Sequence, residues 1–117
     1  LRGQNVIVRN INDPEVIAET FIAHGGGSAQ MLLDSRVLRG ILFLAHGLIK
    51  AGKTIESHRD PYEEIYFILS GEGLMSVDGE ERQVKPGDAI WIPQGAAHSL
   101  FNNTENDCHI LVIAAYA

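Results

Sequence analysis

Side chains that can bind a metal ion crowd into one short stretch, His58-Arg59-Asp60-Pro61-Tyr62-Glu63-Glu64. In an extended strand, residues two apart point to the same face. His58, Asp60 and Glu64 then share a face, provided the strand runs on past Pro61. One imidazole and two carboxylates would aim at one volume. If the sheet rolls into a barrel, that face is the interior. A carboxylate there is costly unless it is paired or bound to a metal. A further histidine, His98, follows Pro93-Gln94-Gly95-Ala96-Ala97. Two histidine nitrogens and carboxylate oxygens suit a borderline first-row divalent ion.

Other residues carry weaker signals. Tyr66 shares parity with Glu64, so its hydroxyl could orient a ligand or act as an acid; simple packing is the alternative. Alternation puts His46 on one face with Leu42, Leu44 and Leu48, as a satisfied core residue or as a pocket-lining acid. His24 precedes Gly25-Gly26-Gly27 and reads as a helix-terminal histidine favoured by the macrodipole. Cys108 and His109 read as structural, because no cation or helix N-terminus is near the thiol in sequence to activate it. Asn102 reads as a turn residue that tolerates the left-handed conformation. Trp91 reads as a core or subunit-contact residue, and Arg36 and Arg39 are left without a role.

The elements that must position these residues are short strands. Apolar runs at Val6–Val8, Ala29–Leu33, Gly40–Ile49, Glu64–Leu69, Leu74–Val77, Ala89–Ile92, His98–Phe101 and His109–Ala115 predict them. Turn signals separate them, which points to an all-β sandwich or barrel. Asp78-Gly79, between Leu74–Val77 and Glu81–Val84, predicts a two-residue hairpin of type I′, which needs positive φ at both central positions. One short helix is expected from Asn12-Asp13-Pro14-Glu15, with Val16, Ile17, Phe21 and Ile22 on roughly helical spacing and a stop at Gly25–Gly27.

Size and charge bound the function. A chain of 117 residues fits one domain, residues 1–117, read as an N-terminal arm over 1–35 and a barrel over 36–117. A formal charge of −6 with no basic run argues against nucleic acid and anionic membranes as partners. The longest apolar run, Ile110–Tyr116, is far too short to span a bilayer. One cysteine permits no intrachain disulfide and excludes the multi-cysteine zinc frameworks. No secretory leader is legible, and the expected setting is cytoplasmic; the start at Leu1 leaves an earlier segment open.

Both candidate segments resemble the paired motifs of the cupin superfamily, a small β-barrel fold. Gly52, five residues and then His58 match the start of its first motif. Glu64 and Gly71 follow with the family's spacing. Gly87, Pro93, Gly95, His98 and Asn102 match the second motif in full. The likeness covers Gly40 to Val112 well. It departs from the family at Asp60, where a second histidine is usual.

The resemblance implies an all-β cupin double-stranded β-helix (a jelly-roll barrel) with one short N-terminal helix. It implies one divalent metal ion (Fe, Mn, Zn, Ni or Co) held by His58, Glu64 and His98, with Asp60 in the fourth ligand place. Some small cupins also carry a histidine-glycine stretch like His24-Gly25 before the barrel. A homodimer is implied too, formed by exchange of a strand for which Val6–Val8 is the candidate. The expected activity is that of a metalloenzyme on a small oxygen-rich molecule: a sugar, an oxo acid or a phenolic compound. Asp60 is the candidate base, and Tyr66 and His46 are the candidate acids. The alternative is a small-molecule-binding or sensor domain without catalysis.

Overall fold

A computed structural model describes residues 6–116. Among them lie one helix, α1 (Pro14–Ala18), and ten strands. In chain order the strands are β1 (Phe21–Ala23), β2 (Gly27–Leu33), β3 (Ile41–Ile49), β4 (Thr54–His58), β5 (Glu63–Ser70), β6 (Gly73–Val77), β7 (Glu80–Val84), β8 (Ala89–Ile92), β9 (His98–Phe101) and β10 (Cys108–Ala115). They form a six-stranded sheet, β1-β2-β3-β10-β5-β8, and a four-stranded sheet, β4-β9-β6-β7. Every pairing is antiparallel. The fold is the all-β, two-sheet barrel that the resemblance implied.

Alternation along the strands makes the core. On β5, Glu64, Tyr66 and Ile68 face inward while Glu63, Ile65 and Phe67 face out. Ile49, Ile68, Ile92 and Ile110 of the larger sheet meet Ile55, Met75, Val84 and Leu100 of the smaller one. Each such buried side chain contributes about 1.5–3 kcal/mol.

The β6–β7 hairpin forms as its sequence predicts: Val77 pairs with Glu80 across Asp78-Gly79. Both turn residues have positive φ, 49° and 85°. Asp78 also exchanges two hydrogen bonds with Ala97. Its backbone N–H donates to the Ala97 carbonyl (2.7 Å), and its Oδ1 accepts the Ala97 N–H (2.9 Å). The turn thereby braces the entry to β9, the strand that carries His98.

The N-terminal expectations need correction. The helix is one short turn, and Phe21 and Ile22 leave it for β1, where Phe21 pairs with Ala29 and Ile22 with Ser28. Aromatic and β-branched residues pack better on a pleated surface than on the end of a short helix. The Asp13 carbonyl accepts the Val16 and Ile17 N–H groups, but its side chain caps no helical N–H; Oδ2 accepts the Asn10 N–H instead (2.8 Å). Val6–Val8 forms no strand, and Val6 and Val8 are exposed. β2, assigned to an arm ending at residue 35, is an integral strand of the larger sheet, paired with β3 from Gly27↔Ile49 to Leu33↔Leu44.

Candidate metal centre

His58 and Asp60 reach the site by a different route from the continuous strand that their parity suggests. β4 ends at His58 and β5 begins at Glu63, so the two lie in different sheets. Residues 59–62 cross between them, where Pro61 breaks the strand. That crossing is tied to the second motif. The Gly95 N–H donates to the Asp60 carbonyl (2.9 Å), Gln94 Nε2 to the Pro61 carbonyl (3.2 Å), and the Arg59 guanidinium to the Gly95 carbonyl (2.6 Å). Gly95 makes this approach with φ of 78°, a conformation open chiefly to glycine. His58 itself sits opposite His98 in the β4–β9 register.

The structure brings His58, Asp60, Glu64 and His98 together, with one donor atom from each lying within 4.8 Å of all the others. Asp60 Oδ2 is 3.2 Å from His58 Nε2 and 3.6 Å from His98 Nε2. Glu64 Oε1 is 3.3 Å from His98 Nε2. Glu64 and His98 are buried.

Both imidazoles are oriented in the same way. His58 Nδ1 lies 2.7 Å from the Glu56 carbonyl, and His98 Nδ1 lies 2.9 Å from the Ala96 carbonyl. A carbonyl can only accept, so each Nδ1 carries a proton and each ring turns its Nε2 into the cluster, where that nitrogen offers a lone pair when unprotonated. Those lone pairs then face carboxylate oxygens, an arrangement that needs a proton or a cation between them. Glu64 Oε1 and His98 Nε2 are buried and make no hydrogen bond. Neutral imidazoles, two carboxylates and orphaned donor atoms fit one first-row divalent ion.

Burial pushes the Glu64 carboxyl up from its ordinary value, and the neighbouring Asp60 adds to this. Burial alone would lower His98, but the approach of Glu64 and the Ala96 carbonyl outweigh it, so His98 is raised. Burial pushes Tyr62 up to about 12 and Tyr66 further, so both hydroxyls keep their protons at neutral pH.

The remaining candidates divide. Tyr66 faces the site, its ring edge-on to His98 at 5.9 Å. His46 does not reach it. Phe43, Ala45 and Gly47 are the β3 residues that line the inner cavity, and parity sends His46 outward. There His46 contacts His109 (Nε2 to Nδ1, 3.0 Å) and Gln30 (Nδ1 to Oε1, 3.3 Å). Asn102 is fully buried without positive φ. Its Nδ2 donates to the Ile49 and Asn106 carbonyls, and its Oδ1 accepts from the Thr104 N–H and hydroxyl. It organises the β9–β10 loop and ligates nothing. Trp91 is 62% exposed, and its indole N–H donates to Glu63.

His24 has a larger part than a helix terminus would give it. α1 ends six residues earlier, and His24 sits in the β1–β2 turn with φ of 48°. Its carbonyl accepts the Glu56 N–H (2.8 Å), and its ring stacks on His58 at 3.4 Å. The visible signal was the glycine run after it: Gly26 packs so close to the Thr54 backbone that a side chain there would clash.

A two-sheet barrel with one imidazole-carboxylate cluster inside defines a class of protein, and comparison with known proteins names it. Residues 45–114 match the family described as "Cupin domain", and the chain belongs to that family. It is 37% identical over 84 residues to an uncharacterized protein of Methanocaldococcus jannaschii, covering 70% of this chain and 67% of the other. It is 29% identical over 116 residues to a Thermotoga maritima protein named "Oxalate-binding protein", covering 95% and 94%. Among solved structures, a cupin 2 conserved barrel domain protein from Salinispora arenicola superposes with a TM-score of 0.81 at 18% identity, covering 97% of this chain and 92% of that one.

Proposed function

We propose that the protein is a metal-dependent enzyme of the isomerase, decarboxylase or dioxygenase type, acting on a small oxygen-rich molecule. The observation that supports this most is the convergence of His58, Asp60, Glu64 and His98 beside a cavity of about 230 Å³. His58, Glu64 and His98 would hold one divalent ion, with Asp60 in the fourth place. When bound, the ion supplies Lewis-acid polarisation of a ligand oxygen.

The chain's own residues supply the rest. Asp60 lines the cavity and would serve as a base where it does not hold the ion. Tyr66 keeps its proton and offers a hydrogen bond to a ligand oxygen rather than giving the proton up. Phe43 and Val112 line the same cavity with apolar surface. His46 is too far around the strand to act as an acid here.

A second reading, binding without turnover, is favoured by the name of the Thermotoga maritima relative. The two separate on a panel of sugar acids, keto acids and catechols presented to metal-restored protein. Turnover of a panel member supports the enzyme. Saturable binding of a member with no turnover across the panel supports the binding domain.

We extend the proposal to a homodimer in the cytoplasm. Exposed Val6, Val8, Ile65 and Trp91 support a second copy as partner. The single thiol, buried and unpaired, needs no oxidising compartment. A sedimentation mass of one chain would refute the dimer.

A further inference from the structure

The cavity beside the four ligands has walls that metal binding does not require. Phe21, Met31, Phe43, Ala45, Ile110 and Val112 line it, contributed by β1, β2, β3 and β10. Phe43 meets Tyr62 edge-on at 5.9 Å and makes an aromatic corner. The polar lining other than Ser28 is His24, Tyr62, Tyr66 and three of the ligands, His58, Asp60 and Glu64. Among the described residues, no lysine or arginine lines the cavity. Arg59, flanked by His58 and Asp60, spends its guanidinium on the Gly95 carbonyl instead.

This lining selects by charge. Asp60 and Glu64 bring two negative charges, which one divalent ion offsets with none to spare. A dicarboxylate would add two more, with no cationic side chain to meet them. Burying charge without a partner costs several kcal/mol. A ligand with one oxygen head and an apolar ring meets both ends of the site. Its head takes the polar end and its ring the apolar walls, gaining about 25 cal/mol for each Å² of apolar surface buried. The cavity is smaller than the roughly 300–1,000 Å³ usual for drug-sized ligands, which limits the body to about one ring.

We infer that this site takes a single-ring phenol or aromatic monocarboxylate in preference to a small dicarboxylate such as oxalate. The charge half of this inference rests on the metal reading above; the wall half does not.

The test is calorimetric binding of catechol, benzoate and oxalate to the purified chain at one pH and ionic strength, with metal content measured on the same sample. Catechol or benzoate should bind at least about tenfold more tightly than oxalate, a difference of 1.4 kcal/mol. Phe43→Ala should weaken the aromatic probe by about tenfold and leave oxalate within about twofold; Phe43→Leu should restore most of the loss and guards against misfolding in the alanine variant. Met31→Arg, which supplies the missing cation, should tighten oxalate. Metal present with oxalate bound as tightly as the aromatic probes overturns the inference and leaves the metal reading standing. No metal taken up even after restoration, with the aromatic preference intact, overturns the metal reading and supports the selective walls. No metal taken up after restoration and no probe bound overturns both.

Discussion

Oε1 of Glu64 and Nε2 of His98 lie 3.3 Å apart, both buried and neither hydrogen-bonded. His98 has its proton on Nδ1, held by the Ala96 carbonyl, so the facing atoms are two acceptors. Asp60 brings a third, its Oδ2 lying 3.6 Å from the same nitrogen. Such a set is stable only around a proton or a metal ion, and the two compete.

That competition predicts a pH dependence. Glu64 and His98 are both raised from their ordinary values, so the pair holds a proton between them at a pH where the free groups have released theirs. In the metal-free protein, these groups stabilise the fold below their unfolded values and lose that contribution as pH rises through the folded ones. A divalent ion must displace the protons, so its affinity rises over the same range. The rise in melting temperature on adding zinc or manganese should be larger at pH 7.5 than at pH 5.5. Titrations in buffers of different ionisation enthalpy should show proton release on binding. An equal metal-induced shift at both pH values would contradict this.

Asp60→His supplies a longer nitrogen donor where the aspartate oxygen now sits, 3.2 Å from His58 Nε2. Metal affinity should rise by at least about tenfold, the scale at which even outer-sphere partners matter. Asp60→Ala should lower it. Unchanged affinity in both, read by competition with a chelating dye, would show that Asp60 takes no part.

Most of the site was legible in the sequence because its residues sit at fixed distances from obligatory turns. The strands that alternate cleanly, β3, β5, β6, β8, β9 and β10, were readable within a residue or two. β4 was not, because Ile55 is its only fully buried residue and Thr54-Ile55-Glu56-Ser57 lacks an apolar run. β1 was hidden because Phe21 and Ile22 fit a helical spacing as well as a strand. His46 shows the limit of face assignment: alternation placed it with Leu42, Leu44 and Leu48, but only the sheet's orientation decides which face is inward. His24 was ambiguous because its place depends on β1–β2 folding over β4, a long-range contact that local spacing does not encode.

Gly71 tests the frame rather than the chemistry. It has φ of 77°, and a methyl group there would strike the Asp107 carbonyl and the Cys108 backbone at the start of β10. Gly71→Ala should cost at least about 2 kcal/mol, combining backbone strain with overpacking. Gly87→Ala, with positive φ but open space around it, should cost only about 1 kcal/mol. Urea unfolding of both variants measures the difference, and equal costs would contradict the packing argument.

Cys108 supplies a control for the whole fold. Burial pushes its thiol from 9.0 up to about 11. A raised value stabilises the fold below the unfolded value and loses that contribution as pH rises from about 9 through about 11. Native protein at pH 8 should react with iodoacetamide far more slowly than urea-unfolded protein. Equal rates would show that β10 does not close the barrel.

His58, Glu64 and His98 are the proposed holders of one metal ion. The most direct test is the metal content of protein purified without chelator or histidine tag, by elemental analysis, beside His58→Ala, Glu64→Gln and His98→Ala. Near-ultraviolet circular dichroism confirms that each variant is folded. Native protein should carry close to one divalent ion per chain, and each folded variant should lose most of it. A native chain that takes up no ion even after metal restoration, or variants that keep the native content, would contradict that assignment.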